Sequence, residues 1–476
     1  MQNTKKTKVV STLGPSTDSP KIIETMMNAG VNIFRINFSH ANYDDVKKKI
    51  KIIRDLNVKN KLNIGILGDL QGPKLRIGVM KHDVIVQKGD KLEFKTGKAF
   101  EGTKEKLYMN YADFAKDVKP GEEILLDDGK LIFKVKSSNK KDTVQVEVVQ
   151  GGPVKSRKGV NLPNTNISLP ALTEKDKTDA AFAIEQKVDW IALSFVRKAE
   201  DCQILQKIID EKSDHKIPII SKIEKPSGVE NIDSIINNCD GLMVARGDLG
   251  VEIPAHEVPL IQKELVQKAK SARIPVIIAT QMMETMMNSL TPTRAEVNDV
   301  ANSVMDGADA VMLSGETSVG KFPVQCIEKM TQILNSVEDS ALIKVPQDPP
   351  HIRTVRYLTK SICYHAALIS NEIDAKAICT LTNSGYTAFQ ISAWRPTSHI
   401  LAFTSNERIL RQMSLLWGVS AFFYGEFEST DQTVDDVNNK AKDEGFVKKG
   451  DFTINLAAMP IADKGMVNTL RVTEIE

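Results

Sequence analysis

A buried strand that ends in charged residues is the sequence feature that most restricts the fold of this chain. Residues 217–226 read Ile-Pro-Ile-Ile-Ser-Lys-Ile-Glu-Lys-Pro, and the β-branched Ile219 and Ile220 are typical of a strand covered on both faces. Lys222 and Glu224 are two residues apart, so their side chains lie on the same side of the strand. Burying both charges is unfavourable unless they pair or bind a ligand. The segment therefore predicts a charged site at the end of a core strand.

The same pattern recurs along the chain and predicts an α/β fold of the (β/α)8 TIM-barrel type. The eight strand-like runs lie at residues 8–14, 32–39, 63–71, 190–195, 217–226, 241–248, 275–281 and 310–316. Helical patterns separate most of them, as at residues 173–187 and 227–239. At any single strand, the polar residues are equally well explained as ordinary residues of the loop between that strand and the next helix. Eight such strands together favour a barrel with its chemistry at one rim.

Two changes of pattern predict additional domains. Between residues 73 and 170 the helical period gives way to short strand-like runs separated by turn residues, which predicts an all-β insert after the third barrel strand. After a proline cluster at residues 344–350, helices alternate with strands again, as in an open α/β domain. The predicted division is barrel 1–72, β-rich insert 73–170 (called the lid below), barrel 171–344 and C-terminal domain 351–476.

Composition excludes several classes of function. The chain of 476 residues has 63 basic and 61 acidic side chains, and its aromatic residues are sparse, so we expect no nucleic-acid partner. No long apolar segment is present, so we expect no membrane association. The five cysteines are scattered without metal-binding spacing, which is typical of reduced thiols in a cytoplasmic protein.

Two carboxylates at the ends of neighbouring predicted strands form a candidate metal site. Glu224 and Asp248 could hold Mg²⁺ together with water and phosphate oxygens. The alternative is that they are only salt-bridge partners of Lys222 and Arg246. Lys222 itself is either a group that stabilises a developing oxyanion or a member of a structural ion pair.

A second group of polar residues follows the second and third predicted strands. Arg35, Asn37 and Ser39 alternate along one strand and are expected to face one way. Arg35 suits bidentate recognition of a phosphate, whereas His40 either contacts a nucleotide or is a structural residue. Asp69 and Arg76 flank the start of the lid, where a cleft is expected.

Several motifs resemble the pyruvate kinase family, and the resemblance extends along nearly the whole chain. The longest are Arg-Ile-Asn-Phe-Ser-His at 35–40, Gly-Asp-Leu-Gln-Gly-Pro at 68–73, Lys-Gly-Val-Asn-Leu-Pro at 158–163, Met-Val-Ala-Arg-Gly-Asp-Leu-Gly at 243–250 and Met-Leu-Ser-Gly-Glu-Thr at 312–317. The resemblance implies phosphoryl transfer from phosphoenolpyruvate to ADP, giving pyruvate and ATP in the last step of glycolysis. It also implies a cytoplasmic homotetramer.

The resemblance assigns roles to particular residues. It implies that Glu224 and Asp248 hold Mg²⁺, with Mn²⁺ as an alternative, and that Lys222 stabilises the transferring phosphoryl group and the enolate. Arg35 would bind the substrate phosphate. Lid closure would bring Lys158 over the substrates. The other implied contacts are Gly247, Asp248 and Thr280 for the substrate carboxylate and its surroundings, with Thr280 near the proton delivered to the enolate, and Asn37, His40, Arg76 and Lys158 for the nucleotide.

Two departures from the family pattern bear on ions and regulation. Many relatives have a glutamate where this chain has Lys74 and a Thr-Lys pair where it has Leu70-Gln71, and that glutamate accompanies a potassium requirement. We therefore expect a vestigial potassium site at Asn37, Ser39, Asp69 and the carbonyl of Leu70, with the charge supplied by Lys74 and no need for K⁺.

The second departure concerns the effector site. A phosphate-binding loop is expected at Thr382, Asn383, Ser384, Gly385 and Thr387. Residues 459–466 lack the glycine-rich pattern of relatives that are activated by fructose 1,6-bisphosphate. We also expect no phosphohistidine-type domain after Glu476.

Two other functions compete with this interpretation. A magnesium-dependent lyase or phosphomutase on the same barrel would share Lys222, Glu224 and Asp248 but would not need the lid or Lys158. A catalytically silent protein that binds phosphorylated metabolites should have lost a charged residue of the rim, and none of those named is missing.

Overall fold

The computed structural model describes residues 5–163, 165–338, 340, 356–425, 429–459 and 465–476. The first part of the chain supplies three strands and two helices: β1 (Lys8–Thr12), α1 (Pro20–Ala29), β2 (Ile33–Asn37), α2 (Tyr43–Asn60) and β3 (Gly65–Asp69), with 3-10 turns at Pro15–Thr17 and Phe38–His40. Local chemistry sets the limits of α1. The Ser19 hydroxyl accepts a hydrogen bond from the amide of Ile22, Pro20 begins the helix, and Gly30 ends it with φ 127°.

The insert is built from short strands around its own core, as predicted. Its elements are β4 (Val84–Val86), β5 (Lys91–Lys95), β6 (Lys106–Tyr108), α3 (Phe114–Asp117), β7 (Glu123–Leu126), β8 (Leu131–Ser138), β9 (Thr143–Gln150), β10 (Gly152–Val154) and β11 (Val160–Asn161). Six strands form one sheet in the order β11-β7-β8-β9-β5-β6, and β10 pairs with β4. Phe94 packs against Phe133 with ring centroids 5.4 Å apart in the buried interior.

The second part of the barrel follows the insert. Its elements are α4 (Glu174–Glu185), β12 (Trp190–Leu193), α5 (Ala199–Lys212), β13 (Ile219–Ile223), α6 (Pro226–Glu230), α7 (Ile232–Ile236), β14 (Gly241–Ala245), α8 (Arg246–Glu252), α9 (Val258–Ala272), β15 (Val276–Ala279), α10 (Arg294–Asp306), β16 (Ala310–Leu313), α11 (Gly315–Ser318) and α12 (Pro323–Glu338), with a 3-10 turn at Glu284–Met287.

Eight parallel strands close in the order β1-β16-β15-β14-β13-β12-β3-β2, which confirms the predicted barrel. One helix prediction was wrong in detail. Residues 227–239 form the two short helices α6 and α7, because Asn231 leaves helical geometry at φ −97° and ψ 15°.

The C-terminal part is an open α/β domain. Its elements are α13 (Tyr357–Glu372), β17 (Ala377–Leu381), α14 (Tyr386–Ala393), β18 (His399–Thr404), α15 (Glu407–Gln412), β19 (Val419–Phe423), α16 (Thr430–Asp443), β20 (Phe452–Ala457) and β21 (Thr469–Glu474), with a 3-10 turn at Met413–Leu415. The sheet order is β19-β18-β17-β20-β21, and only β21 is antiparallel to its neighbour. The proline cluster at residues 344–350, predicted to divide the domains, lies outside the described residues.

The C-terminal domain covers the amino-terminal end of the barrel. The Lys8 ammonium, at the start of β1, donates to the carbonyl of Val419 at 2.8 Å. The indole N–H of Trp190, at the start of β12, donates to the carbonyl of Gln412 at 3.1 Å. The carboxyl ends of the strands lie at the opposite end of the barrel. Within the described part of the chain, no helix has both the length and the apolar character to cross a bilayer.

Candidate active site

The carboxyl ends of β2, β3 and β13 bring a charged cluster together. Asp69 ends β3 and is 1% exposed. Its Oδ2 accepts a hydrogen bond from Nε of Arg35 at 2.6 Å, and its Oδ1 lies 3.2 Å from Nζ of Lys222. The Arg35 guanidinium also donates to the hydroxyl of Thr12 at 3.0 Å. Sequence reasoning placed Asp69 beside the predicted cleft and gave Arg35 a phosphate-binding role, and the fold adds direct pairing between the two residues.

Lys222 is the centre of this cluster. Its ammonium lies 3.0 Å from Oε1 of Glu224 and donates to the Ser194 hydroxyl at 2.7 Å. Burial by itself lowers the pKa of Lys222, but the carboxylates of Asp69 and Glu224 outweigh burial and raise that pKa above its ordinary value. Lys222 is therefore a fixed positive charge near neutral pH.

Ser194 is a residue that sequence reasoning missed. It follows β12, and besides accepting from Lys222 its hydroxyl donates to the carbonyl of Leu70 at 2.6 Å. A sequence signal was present, because Ser194 is a polar residue near the end of the predicted strand 190–195. A single serine is too common at strand ends to be selected on that basis.

Glu224 is held in a buried position beside Asp248. The Oε2 of Glu224 accepts the backbone N–H of Phe195 at 2.7 Å. Burial raises the pKa of Glu224 to about 7, Lys222 opposes that rise, and the negative charge of Asp248 adds to it. Glu224 follows β13 and Asp248 follows the neighbouring strand β14, so both carboxylates lie at the same end of the barrel.

The structure shows which of the two salt bridges considered in the sequence analysis forms. Glu224 does pair with Lys222. Arg246, however, pairs with Asp299 at 2.6 Å through both of its terminal nitrogens rather than with Asp248. Among the described residues, no hydrogen bond or ion pair engages the Asp248 carboxylate.

The donor set fits a magnesium ion. Glu224 and Asp248 supply two hard carboxylate groups, and the Lys222 ammonium lies against Glu224. The described ranges contain no group of three or more histidine, cysteine or acidic side chains that could hold a metal. Magnesium typically uses one or two protein carboxylates and completes its shell with water and substrate phosphates, so a two-carboxylate site suits this ion.

Strained backbone lies at the end of β15. Thr280 and Gln281 both have positive φ, 70° and 55°, and non-glycine residues adopt such angles mainly where function or packing imposes them. The Thr280 hydroxyl accepts from the amide of Gly247 at 2.7 Å and donates to the carbonyl of Ala279 at 2.6 Å. These contacts hold Thr280 and Gly247 side by side on the rim.

One feature of the second strand differs from the prediction. β2 ends at Asn37, and Ser39 lies in the following 3-10 turn, so Arg35, Asn37 and Ser39 do not alternate along one strand. The Asn37 side-chain oxygen accepts the amide of Ser39 at 3.1 Å, which caps the turn and draws the chain out of the strand. His40 is the last residue of that turn. A cavity of about 770 Å³ lies beside Asn37 and Pro15.

Arg76 and Lys158 meet at the base of the lid. Arg76 forms a β-bridge with Gly159, and its guanidinium donates to the carbonyl of Arg157 at 3.0 Å. Lys158 pairs with Asp127 at 2.8 Å within the lid, and this contact lowers the pKa of Asp127. Lys74, close by in sequence, is exposed, and no described residue forms an ion pair with its ammonium.

The predicted effector loop joins β17 to α14. Thr382 and Thr387 are buried, whereas Asn383 and Ser384 are exposed. Gly385 has φ 77° and directly precedes α14. The loop therefore presents exposed groups beside the amino terminus of α14, in the C-terminal domain rather than in the barrel. Its expected partner segment lies partly outside the described residues, because residues 460–464 are not described.

Comparison with known proteins agrees with this geometry along the chain. The family model "Pyruvate kinase, barrel domain" matches residues 4–327, and "Pyruvate kinase, alpha/beta domain" matches residues 360–473. Pyruvate kinase of Bacillus licheniformis is 40% identical over 98% of this chain and 80% of its own length. Pyruvate kinase of Clostridium perfringens is 39% identical over 99% of this chain and its own full length.

A solved structure gives the same result. The crystal structure of a pyruvate kinase from Cryptosporidium parvum superposes with a TM-score of 0.93 and 32% identity, covering 99% of this chain and 97% of that one. The match therefore includes the barrel, the β-rich insert and the C-terminal α/β domain. This chain belongs to the pyruvate kinase family of phosphotransferases.

Proposed function

We propose that this protein transfers a phosphoryl group from phosphoenolpyruvate to ADP, with Mg²⁺, as the last step of glycolysis. The observation that carries the proposal is the buried cluster in which Lys222 touches Asp69, Glu224 and Ser194 at the barrel rim. The P–O bond to the enol oxygen breaks, a P–O bond to the terminal phosphate of ADP forms, and the enolate takes up one proton to become pyruvate.

Lys222 and Arg35 supply the positive charge that this reaction needs. Both substrates are polyanions, so phosphoryl transfer depends on positioning and on stabilising charge rather than on a protein nucleophile. Arg35 has its Nε on Asp69 and one terminal nitrogen on Thr12, which orients the guanidinium for the substrate phosphate. Lys222, with its raised pKa, stabilises the enolate oxygen as an ammonium and does not protonate it.

Glu224 and Asp248 would hold the magnesium ion. When bound, the ion would supply positive charge that offsets the negative charge of the substrates. The backbone N–H of Gly247 and the hydroxyl of Thr280 lie next to each other and would bind the substrate carboxylate. The Thr280 hydroxyl would lie near the place where the enolate takes up its proton.

The nucleotide would lie between the rim and the lid. The cavity beside Asn37 has the size of a small-molecule site and is lined by residues of the barrel. Arg76 and Lys158 at the base of the lid carry charges suited to the phosphates of ADP, and His40 follows Asn37 on the same side of the barrel. Lid closure over both substrates would exclude water. We further propose that the enzyme is a cytoplasmic homotetramer.

A coupled assay with phosphoenolpyruvate, ADP and Mg²⁺ tests the proposed function. Pyruvate and ATP should form in equal amounts, and neither should form when ADP is left out. Turnover of phosphoenolpyruvate without a nucleotide would instead identify a lyase or phosphomutase. Binding of both substrates without turnover would identify a silent regulatory protein.

The two candidate metal ligands lead to a separate prediction. Glu224→Gln and Asp248→Asn should each raise the magnesium concentration for half-maximal activity by about tenfold or more, because an amide lacks the charge that attracts a hard cation. The measurement is a magnesium titration at saturating substrates. Glu316→Gln is the control, since the Glu316 carboxylate accepts backbone amides of Met283 and Ser314 at the same rim. Unchanged titrations for both ligand variants would leave the carboxylates as ion-pair partners only.

Regulation by a phosphorylated effector is expected at the loop before α14. Exposed Ser384 and the positive-φ Gly385 can offer hydroxyl and backbone N–H groups to a phosphate. A panel of sugar phosphates, tested at subsaturating phosphoenolpyruvate, should find an activator whose effect is lost in Ser384→Asp, since the added carboxylate repels phosphate. Strong activation by fructose 1,6-bisphosphate would contradict our interpretation of residues 459–466.

A further inference from the structure

A buried carboxylate outside the cluster described above connects the lid to the barrel rim. The side chain of Glu252 is 0% exposed. It forms an ion pair with Lys225, and its Oε1 accepts the side-chain N–H of Asn161 at 2.8 Å. Its Oε2 is buried and, among the described residues, has no hydrogen-bond partner.

Each member of this junction adjoins a candidate site residue. Glu252 lies four residues after Asp248 in α8, so the two side chains are on the same face of that helix. Lys225 directly follows Glu224, and its ammonium lies 6.0 Å from the ring centroid of Phe195, whose amide binds Glu224.

Asn161 completes the junction from the lid side. It belongs to β11, three residues after Lys158. β11 pairs with β7, and the amide of Asp127, the residue that pairs with Lys158, donates to the carbonyl of Gly159 at 3.0 Å. One buried carboxylate thus contacts both the strand end that carries Glu224 and the lid strand next to Lys158.

The Asn161 contact is important because the Glu252 carboxylate receives few hydrogen bonds. An ionised carboxylate can accept about four hydrogen bonds, and Glu252 receives one from Asn161 and one charged contact from Lys225. If the lid moved away from the rim, the buried carboxylate would lose its contact with Asn161 and would need water in its place. Such a movement would therefore change the hydrogen bonding of a buried carboxylate at the rim.

We propose that Glu252 is a positioning residue that holds the lid against the rim. It does so through its hydrogen bond with Asn161 of the lid and its ion pair with Lys225 of the barrel, and these three residues are called the latch below. The kinetic part of this inference rests on the proposed function, because the latch would hold Lys158 where the nucleotide phosphates bind. The structural part does not, because the latch should limit lid opening in the free protein.

Two substitutions of Asn161 test the latch. Asn161→Ala removes the donor, and Asn161→Asp keeps the shape but faces Glu252 with a second negative charge. In the free protein, hydrogen exchange of residues 158–163 and 246–253 should be faster in both variants, and more so in Asn161→Asp. The KM for ADP should rise about tenfold, as a hydrogen bond to a charged group typically allows, while kcat and the KM for phosphoenolpyruvate stay within about twofold.

Gln145→Ala is the matched control. Gln145 donates a side-chain N–H to the Glu93 carboxylate at 2.6 Å inside the lid, so its loss removes the same kind of bond without crossing to the barrel. It should change neither measurement.

Wild-type exchange in both Asn161 variants would overturn the latch even if the protein had no kinase activity. An isosteric Asn161→Asp that behaves as wild type would also overturn it, since it would leave shape rather than hydrogen bonding as the role of Asn161. A parallel fall of kcat and loss of affinity for both substrates would reassign the junction to general stability.

Discussion

Replacing Lys222 with methionine should lower kcat by about 10²–10³, the usual consequence of removing one contact to a developing oxyanion. Negative charge appears on the enolate oxygen only during transfer, so the loss should fall on turnover rather than on substrate binding. The structure supports this expectation, because the Lys222 ammonium is held by Asp69, Glu224 and Ser194 and remains charged. The KM for phosphoenolpyruvate should change little, since Arg35 remains on Asp69.

Lys8→Met provides the matched control for this experiment. Lys8 is also a buried lysine, but it lies at the opposite end of the barrel, where its ammonium donates to Val419. Any loss shared by the two variants reports on folding, and the difference between them reports on chemistry. Turnover of Lys222→Met within about threefold of wild type would remove Lys222 from the proposed mechanism, because an oxyanion contact contributes far more.

Activity without potassium is the second large expected effect. In buffer with only an organic counter-ion, the wild-type enzyme should retain near-full activity. We propose that the Lys74 ammonium supplies the charge that potassium supplies in relatives with glutamate, and two cations at that place would repel each other. Lys74 is exposed, and no described residue pairs with it, so its side chain is available for this role.

The contacts of the predicted vestigial ligands also support potassium independence. Asp69 uses one oxygen for Arg35 and the other for Lys222, and the carbonyl of Leu70 accepts the Ser194 hydroxyl at 2.6 Å. The Asn37 oxygen accepts the amide of Ser39. Each of these oxygens already accepts a protein donor, so a monovalent cation would have to use the lone pairs that remain.

Lys74→Glu tests whether potassium can replace the positive charge of the Lys74 ammonium. The variant should lose activity in the potassium-free buffer and regain part of it when potassium is added, although Leu70 and Gln71 limit the recovery. Lys81→Glu, the same change at another exposed lysine of the lid, serves as the control. Stimulation of the wild-type enzyme by about tenfold on adding potassium, equivalent to about 1.4 kcal/mol, would contradict the role assigned to Lys74.

The barrel could be predicted because its signal is repeated. Each strand is an apolar run that ends in polar residues, and the burial of β13 and β14 on both faces agrees with that pattern. The short elements were harder. β6, β10 and β11 contain only two or three residues each, too few for alternation to be recognised, and their pairing depends on partners distant in sequence.

The sequence by itself determined which chemical groups reach the rim. Strand periodicity placed Lys222 and Glu224 on one side, and the motif resemblance gave the family that the comparisons confirmed. The prediction that Arg35, Asn37 and Ser39 alternate along one strand was wrong because of a local hydrogen bond. The Asn37 side chain caps the following turn, and Ser39 therefore lies outside the strand.

Only the tertiary structure decided which groups touch. Closure of the barrel sets Lys222 on β13 against Asp69 on β3 and against Ser194, and it leaves Arg246 with Asp299 instead of Asp248. It also brings Asn161 of the lid onto Glu252, 91 positions away along the chain. The physical reason is that side-chain periodicity fixes the direction of a residue within its own element, whereas partners in ion pairs and hydrogen bonds are selected by the register and packing of different elements.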